Sequence, residues 1–167
     1  MIAIYLIVGV LAALAVATLA LPRTAQARFV ALSPVPPADL FPYMTALENA
    51  PAWIPGCTAG EKTAGRDGPA RRQTLVISGV RHEQQVTTWI AGRQYGWKEA
   101  PATGPLGEAR VIITLNDRTG KTEIEVLGEF TARNLAARWA LPMGEAARRR
   151  AFCEGLLAGL AAFSPKR

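Results

Sequence analysis

Three textures of apolar and polar positions divide the chain. From Met1 to Leu21 the run MIAIYLIVGVLAALAVATLAL carries no charged side chain, and every charge lies beyond it. As a helix it would reach roughly 30 Å, about one hydrocarbon core. It predicts one transmembrane helix over residues 1–22, ended by Pro22 and Arg23. From residue 57 to 131 the pattern alternates in short runs split by turn residues, which predicts strands. From residue 134 to 163 the apolar positions Leu135, Trp139, Phe152, Leu156, Leu160 and Phe163 return at helical spacing.

Between the first two textures, 28–33 (RFVALS) reads as a strand broken by Pro34-Val35-Pro36-Pro37. Residues 38–47 read as an amphipathic helix with Leu40, Phe41, Met44 and Leu47 on one side, and Pro42 near its first turn. A short helical turn over 49–53 ends at Ile54-Pro55-Gly56. The β texture then predicts strands over 57–64, 71–78, 81–90, 94–99, 109–116 and 122–131, with 104–107 as loop. Asp117-Arg118-Thr119-Gly120 marks the clearest hairpin. In its second strand Ile124, Val126, Gly128 and Phe130 face one way, against Glu123, Glu125 and Glu129. Arg110 and Glu125 are expected to pair across it. Pro142 and Gly144 interrupt the last helical stretch, so its long part starts near Met143. An antiparallel sheet with one apolar face must cover that face, and the terminal helix is the available cover. The class is α+β.

The apolar N-terminus admits two readings. A signal peptide has a basic n-region, a shorter apolar core and a small-residue cleavage site. Here nothing basic precedes the core except the terminal amine, although Ala25-Gln26-Ala27 has the cleavage pattern. The anchor is the preferred reading. Arg23 and Arg28 flank the segment on its C-terminal side, which places the domain in the cytoplasm; a periplasmic or secreted domain is the alternative if the segment is a signal.

About 140 residues remain, enough for one domain with a core of its own. All of the +6 charge lies on them, and a basic domain beside a membrane most simply meets anionic head groups. No nucleic-acid motif accompanies the charge, so nucleic acid is not an expected partner. The run Arg148-Arg149-Arg150 reads as a solvated helix face. Two cysteines, Cys57 and Cys153, make neither a disulfide framework nor a metal cluster, and read as small buried residues. With His82 the only histidine, a histidine-rich metal site is excluded. His82 and Glu83, as strand neighbours, point to opposite faces; His82 and Gln84 share one. There is no Gly-x-Ser-x-Gly elbow and no P-loop, Cys57 has no basic neighbour to activate it, and no cofactor or metal is expected.

The segment ARFVALSPVPPADLFPYMTALENAPAWIPG, with a strand, a helix and Trp53 in a WIPG turn, resembles the SRPBCC superfamily, in its START and polyketide cyclase/dehydrase-like branches. The stretch QVTTWIAGRQYGWK is similar to the paired central strands of the cyclase-like branch. The resemblance covers a domain over 27–164 and implies a helix-grip fold. A curved antiparallel sheet of about six to seven strands would wrap around a long C-terminal helix, preceded by the transmembrane helix. It also implies a cavity for lipids, quinones, sterols or polyketides, without fixing which.

The candidates to line such a cavity are Phe41, Tyr43, Trp53, Trp89, Trp97, Ile113, Phe130, Trp139 and Phe152. Together they offer an apolar pocket with a few polar handles. Three functional readings follow, in descending order. The first is a membrane-anchored, non-catalytic carrier or sensor of a lipophile such as a lipid or quinone. The second is an accessory subunit of a larger membrane complex, with Ala13, Ala17 and Ala20 as a helix-contact face. The third is a cyclase- or dehydrase-like enzyme in which His82 or Tyr43 moves protons.

Overall fold

The computed structural model describes residues 2–100, 102 and 104–165, with the side chains of 2–4 and 6 left aside. Its elements in chain order are α1 (Ile2–Ala20), β1 (Thr24–Ser33), α2 (Pro37–Thr45), a single 3-10 turn (Leu47–Asn49) and α3 (Ala50–Trp53). Six strands follow: β2 (Cys57–Ala64), β3 (Arg72–Ile77), β4 (Val80–Ile90), β5 (Gln94–Glu99), β6 (Leu106–Asp117) and β7 (Thr122–Ala132). A 3-10 turn (Ala136–Ala140) and a π turn (Leu141–Glu145) lead into α4 (Ala146–Ala161).

The seven strands form one antiparallel sheet in the order β1-β7-β6-β5-β4-β3-β2. Every neighbour pair except β1–β7 is a sequential hairpin, so local turns set most of the register. The alternation expected in β7 is present: Thr122, Ile124, Val126, Gly128 and Phe130 are buried, and the glutamates between them are half-buried. Val111, Ile113 and Leu115 of β6 share that inner face. Cys153, Leu156 and Leu160 of α4 cover it, each with no exposed surface. Each buried leucine contributes about 2 kcal/mol of transfer free energy.

Two glycines let the helix sit this close. A Cβ on Gly128 would lie 2.5 Å from Cys153 Sγ, and one on Gly159 would lie 2.5 Å from the Trp53 carbonyl oxygen. α4 therefore seats on β7 and α3 almost backbone to backbone.

Several boundaries differ from those read in the sequence. β1 starts at Thr24, so Ala25-Gln26-Ala27 is strand, paired with Phe130, Glu129 and Gly128. β6 starts at Leu106, inside the expected loop, because its partner β7 runs on to Ala132. Pro42 sits in the second turn of α2. The terminal helix proper begins at Ala146, after a break at Met143 and Gly144, where φ of Gly144 is 117°. Arg110 stands opposite Glu129 and Glu125 opposite Thr114. Glu125 instead accepts a 2.6 Å bond from Arg28 Nε on β1, the neighbour that the sequence pairing rule did not include.

At the N-terminus, no helix among the described residues is long and apolar enough to cross a membrane. The transmembrane helix expected over 1–22 is therefore not borne out among the described residues. What stands there is a 19-residue apolar helix. Tyr5, Ile7, Leu11, Leu14, Val16 and Leu19 are each at least half exposed. Among the described residues its last turn is the part tied down. Trp139 Nε1 donates to Thr18 Oγ1 at 3.1 Å, and Arg138 Nη1 reaches the carbonyls of Leu19 and Leu21 at 3.4 and 3.5 Å.

Candidate functional site: a two-sided cavity under the terminal helix

Between the concave sheet and the first turns of α4 lies a cavity of about 280 Å³. Its floor is apolar: Trp97 from β5, Ala109 and Val111 from β6 and Phe130 from β7, with Phe152 of α4 above. His82 and Gln84 of β4 and Glu99 of β5 make one polar wall. Ile77 of β3, with Glu145, Arg148 and Arg149 where α4 begins, completes the lining.

The wall is specific in its bonding. His82 Nδ1 lies 3.0 Å from Glu99 Oε2, and both side chains are close to nine-tenths buried. Glu145 is buried and accepts bonds of 2.8 Å from both Arg148 and Arg149. The arginine run is therefore no uniform solvated face. Arg149 also lies over the Phe130 ring at 5.9 Å, and Arg150 over Phe29 at 5.5 Å; such stacking adds to the attraction of a half-buried cation.

Behind His82 and Gln84 the polarity continues through the interior. Arg71 is 3 % exposed and donates through Nη2 to Gln73 Oε1 at 2.8 Å and to the Tyr95 hydroxyl at 3.0 Å. The Tyr95 hydroxyl in turn donates to Gln73 Oε1 at 2.8 Å, and Gln73 Nε2 donates to Gln84 Oε1 at 3.0 Å. Trp89 caps the Arg71 guanidinium at 4.9 Å. Burial pushes the Tyr95 phenol up, with Arg71 opposing the shift, so Tyr95 stays a neutral donor. A buried network of this kind rigidifies its members, although Arg71 Nε has no partner among the described residues.

The thiols are chemically quiet. Cys57 and Cys153 are both free and buried. Burial raises the Cys153 thiol to about 11, against the opposing pull of Arg149, and pushes Cys57 up as well. Neither supplies a thiolate nucleophile at neutral pH. Among the described residues no group of three or more metal-ligating side chains gathers.

Of the nine aromatic and aliphatic candidates, Trp97, Phe130 and Phe152 line the cavity. The other six lie elsewhere. Phe41 packs edge-on against Trp89 at 5.5 Å, and Trp89 borders a separate outer cleft with Arg71. Tyr43 stacks on Phe163 at 3.8 Å, where burial raises its phenol. Trp53 is buried edge-on to Trp97 at 6.2 Å, Ile113 is core, and Trp139 holds α1. Glu99, Gln73 and Arg71 were not singled out in the sequence. Glu99 and Gln73 occupy inward strand positions that polar side chains normally avoid, Arg71 just precedes β3, and the partners His82, Gln84 and Tyr95 that tie them together come from β4 and β5.

Residues 24–162 match the family described as polyketide cyclase / dehydrase and lipid transport. The chain belongs to that family. Its members bind hydrophobic ligands, with cyclase and lipid-binding activities both represented. No curated protein matches the chain. Among solved structures, TTHA0849 from Thermus thermophilus is similar with a TM-score of 0.66 at 16% identity, over 81% of this chain and 94% of that one. The Zhui aromatase/cyclase from Streptomyces sp. R1128 is similar with a TM-score of 0.64 at 10% identity, over 83% and 92%. Ara h 8.0201 gives 0.60 at 17%, over 84% and 99%. At these identities the likeness is one of fold, the helix-grip arrangement of a curved sheet on a long C-terminal helix.

Proposed function

We propose that the domain binds a small lipophile with an oxygen-bearing polar end, without transforming it, and that α1 holds it at a membrane. The cavity carries the reading: an apolar floor of Trp97, Val111 and Phe130 faces a wall of ordered polar groups. Small-molecule sites combine these two features. Its volume, about 280 Å³, suits a bicyclic ring or a short chain rather than a whole lipid.

Membrane attachment is supported by the exposed apolar side chains of α1 and by the basic balance of the domain. A bilayer would bury those side chains, and anionic head groups would complement the charge. Retention of the segment is supported by β1: cleavage after Ala27 would remove the first four pairs of an edge strand.

Native mass spectrometry of the full chain, extracted gently from its own membranes, tests the ligand. A discrete lipophilic adduct is expected, and it should vanish in Ala109→Phe, which fills the cavity. An adduct kept unchanged in a folded Ala109→Phe would refute this pocket. Flotation with vesicles containing anionic lipid tests the anchor; a chain that stays at the bottom of the gradient refutes it. Extraction bound to other polypeptides instead of lipophile would favour an accessory-subunit role.

One observation supports a second, enzymatic reading: His82 is oriented by Glu99 inside the cavity, the arrangement of a general base. Under that reading His82→Ala lowers turnover of a cyclisable poly-ketone by about a hundredfold or more. Undiminished turnover would remove it.

A further inference from the structure

Hydrogen-bond accounting along the buried network fixes which polar atoms the cavity offers. An arginine side chain only donates. Arg71 Nη2 therefore faces an oxygen, and Gln73 must point Oε1 toward Arg71 and Tyr95. That leaves Gln73 Nε2 toward Gln84, so Gln84 turns its own Oε1 inward to accept from it. The Gln84 amide nitrogen is then the end left for the cavity, a donor. His82 stands on the same face of β4, two residues away, and Glu99 of β5 settles the role of each of its ring nitrogens. A carboxylate accepts, so the Glu99 contact calls for the tautomer with its proton on His82 Nδ1, which leaves Nε2 as an acceptor. Among the described residues neither Gln84 Nε2 nor His82 Nε2 has a protein partner, and both side chains line the cavity.

We infer that the cavity selects a lipophile carrying a ring hydroxyl together with a carbonyl oxygen: the hydroxyl donates to His82 Nε2, and the carbonyl accepts from Gln84 Nε2. A quinone offers acceptors alone and leaves His82 Nε2 unmatched. A plain hydrocarbon ring matches neither. Gln73 is a positioning residue here. It never meets the ligand but decides which end of Gln84 does. The inference rests on the cavity reading above and adds the ligand class to it.

Three matched probes test it by titration against tryptophan emission of the full chain, since Trp97 lines the cavity. They are 6-hydroxy-1-tetralone, its methyl ether and 5,6,7,8-tetrahydro-2-naphthol. The first carries both groups, the second lacks the donor and the third lacks the carbonyl. The hydroxytetralone should bind tightest, with each deletion weakening binding about tenfold because a buried polar atom then loses its partner. His82→Phe should abolish the preference for hydroxyl over methoxy and leave the preference for carbonyl. Gln73→Glu should do the reverse: the introduced carboxylate can only accept, so Gln84 flips its amide and presents oxygen to the cavity. A purely structural role for Gln73 would lower affinity for all three probes alike, which would overturn the assignment. Equal binding of all three to the wild type overturns the assignment and leaves the cavity reading in place. Binding of none overturns both.

Discussion

The inner face of the sheet has two unlike halves. On β1, β7 and β6 it is apolar, with Ile124, Val126, Phe130, Ile113 and Leu115 sealed under α4. On β3, β4 and β5 it carries Gln73, His82, Gln84, Tyr95 and Glu99 beside Arg71, nearly all buried and hydrogen-bonded, interleaved with buried Leu75, Val86 and Trp97. The two halves meet at the cavity, where Phe130 and Val111 face His82 and Gln84. The apolar half supplies the free energy of folding by burial. The polar half adds little net stability, since its groups exchange water bonds for protein bonds, but it fixes the orientation of every donor and acceptor. The oriented donors and acceptors are thus concentrated on β3, β4 and β5, while apolar burial is shared across the whole sheet.

The sharpest way to break the comparison is at the apolar half. Gly159→Leu forces a side chain into the Trp53 backbone, and α4 must lift from the sheet. A loss of about 3 kcal/mol or more is expected in urea denaturation; a loss under about 1 kcal/mol would mean that α4 is not seated as described. At the polar half, Arg71→Met removes the donors to Gln73 and Tyr95. About 2 kcal/mol is expected to be lost, with hydrogen exchange quickened on β3 and β5 before β7. Uniform quickening across the sheet would show that the halves are not separate.

Smaller effects sharpen the boundary. The Cys153 thiol is held protonated by burial, up to about 11. Its stabilisation is complete below the ordinary thiol value and is lost as pH rises through about 11. The alkaline limb of the stability curve should fall by about 1–2 kcal/mol, and Cys153→Ala should flatten it. An unchanged limb in that variant would place the titrating group elsewhere. The smallest effect belongs to Asp67, whose carboxyl is held below the usual carboxylate range by hydrogen bonds from Arg71 and Lys62. Its contribution is present above that range and fades as pH falls through the lowered value. The melting temperature of Asp67→Asn should converge with wild type only in acid. A constant gap at all pH values would contradict this.

The same division explains what the sequence made legible. In β7 the glutamates alternate with Ile124, Val126 and Phe130, so strand, face and hairpin could all be read from the residues. The helix-grip order and the α4 cover followed from such patterns. In β4 both faces are polar, RHEQQ, and alternation could assign His82 and Gln84 to one face without telling inside from outside. The Glu99 partner of His82 comes from a neighbouring strand 17 residues away, and no local rule selects it. Large aromatics suggested a lining, yet Phe41, Tyr43 and Trp53 pack on other rings, because big side chains fill space before they enclose it. The cavity exists where the lining is small, at Ala109 and Val111. At the N-terminus the lack of charge was plain, while the docking of Arg138 and Trp139 on the last turn of α1 joins residues 119 and 121 positions apart.

The central claim is that recognition belongs to the polar half where it meets the cavity. The most direct measurement is a side-chain NMR titration of the full chain with 6-hydroxy-1-tetralone, following the Gln84 amide, the His82 ring and the four indoles. The account predicts shifts at Gln84, His82 and Trp97, with Trp89 and Trp139 unmoved. Shifts at Trp89 or Trp139 with Gln84 and His82 silent would contradict it.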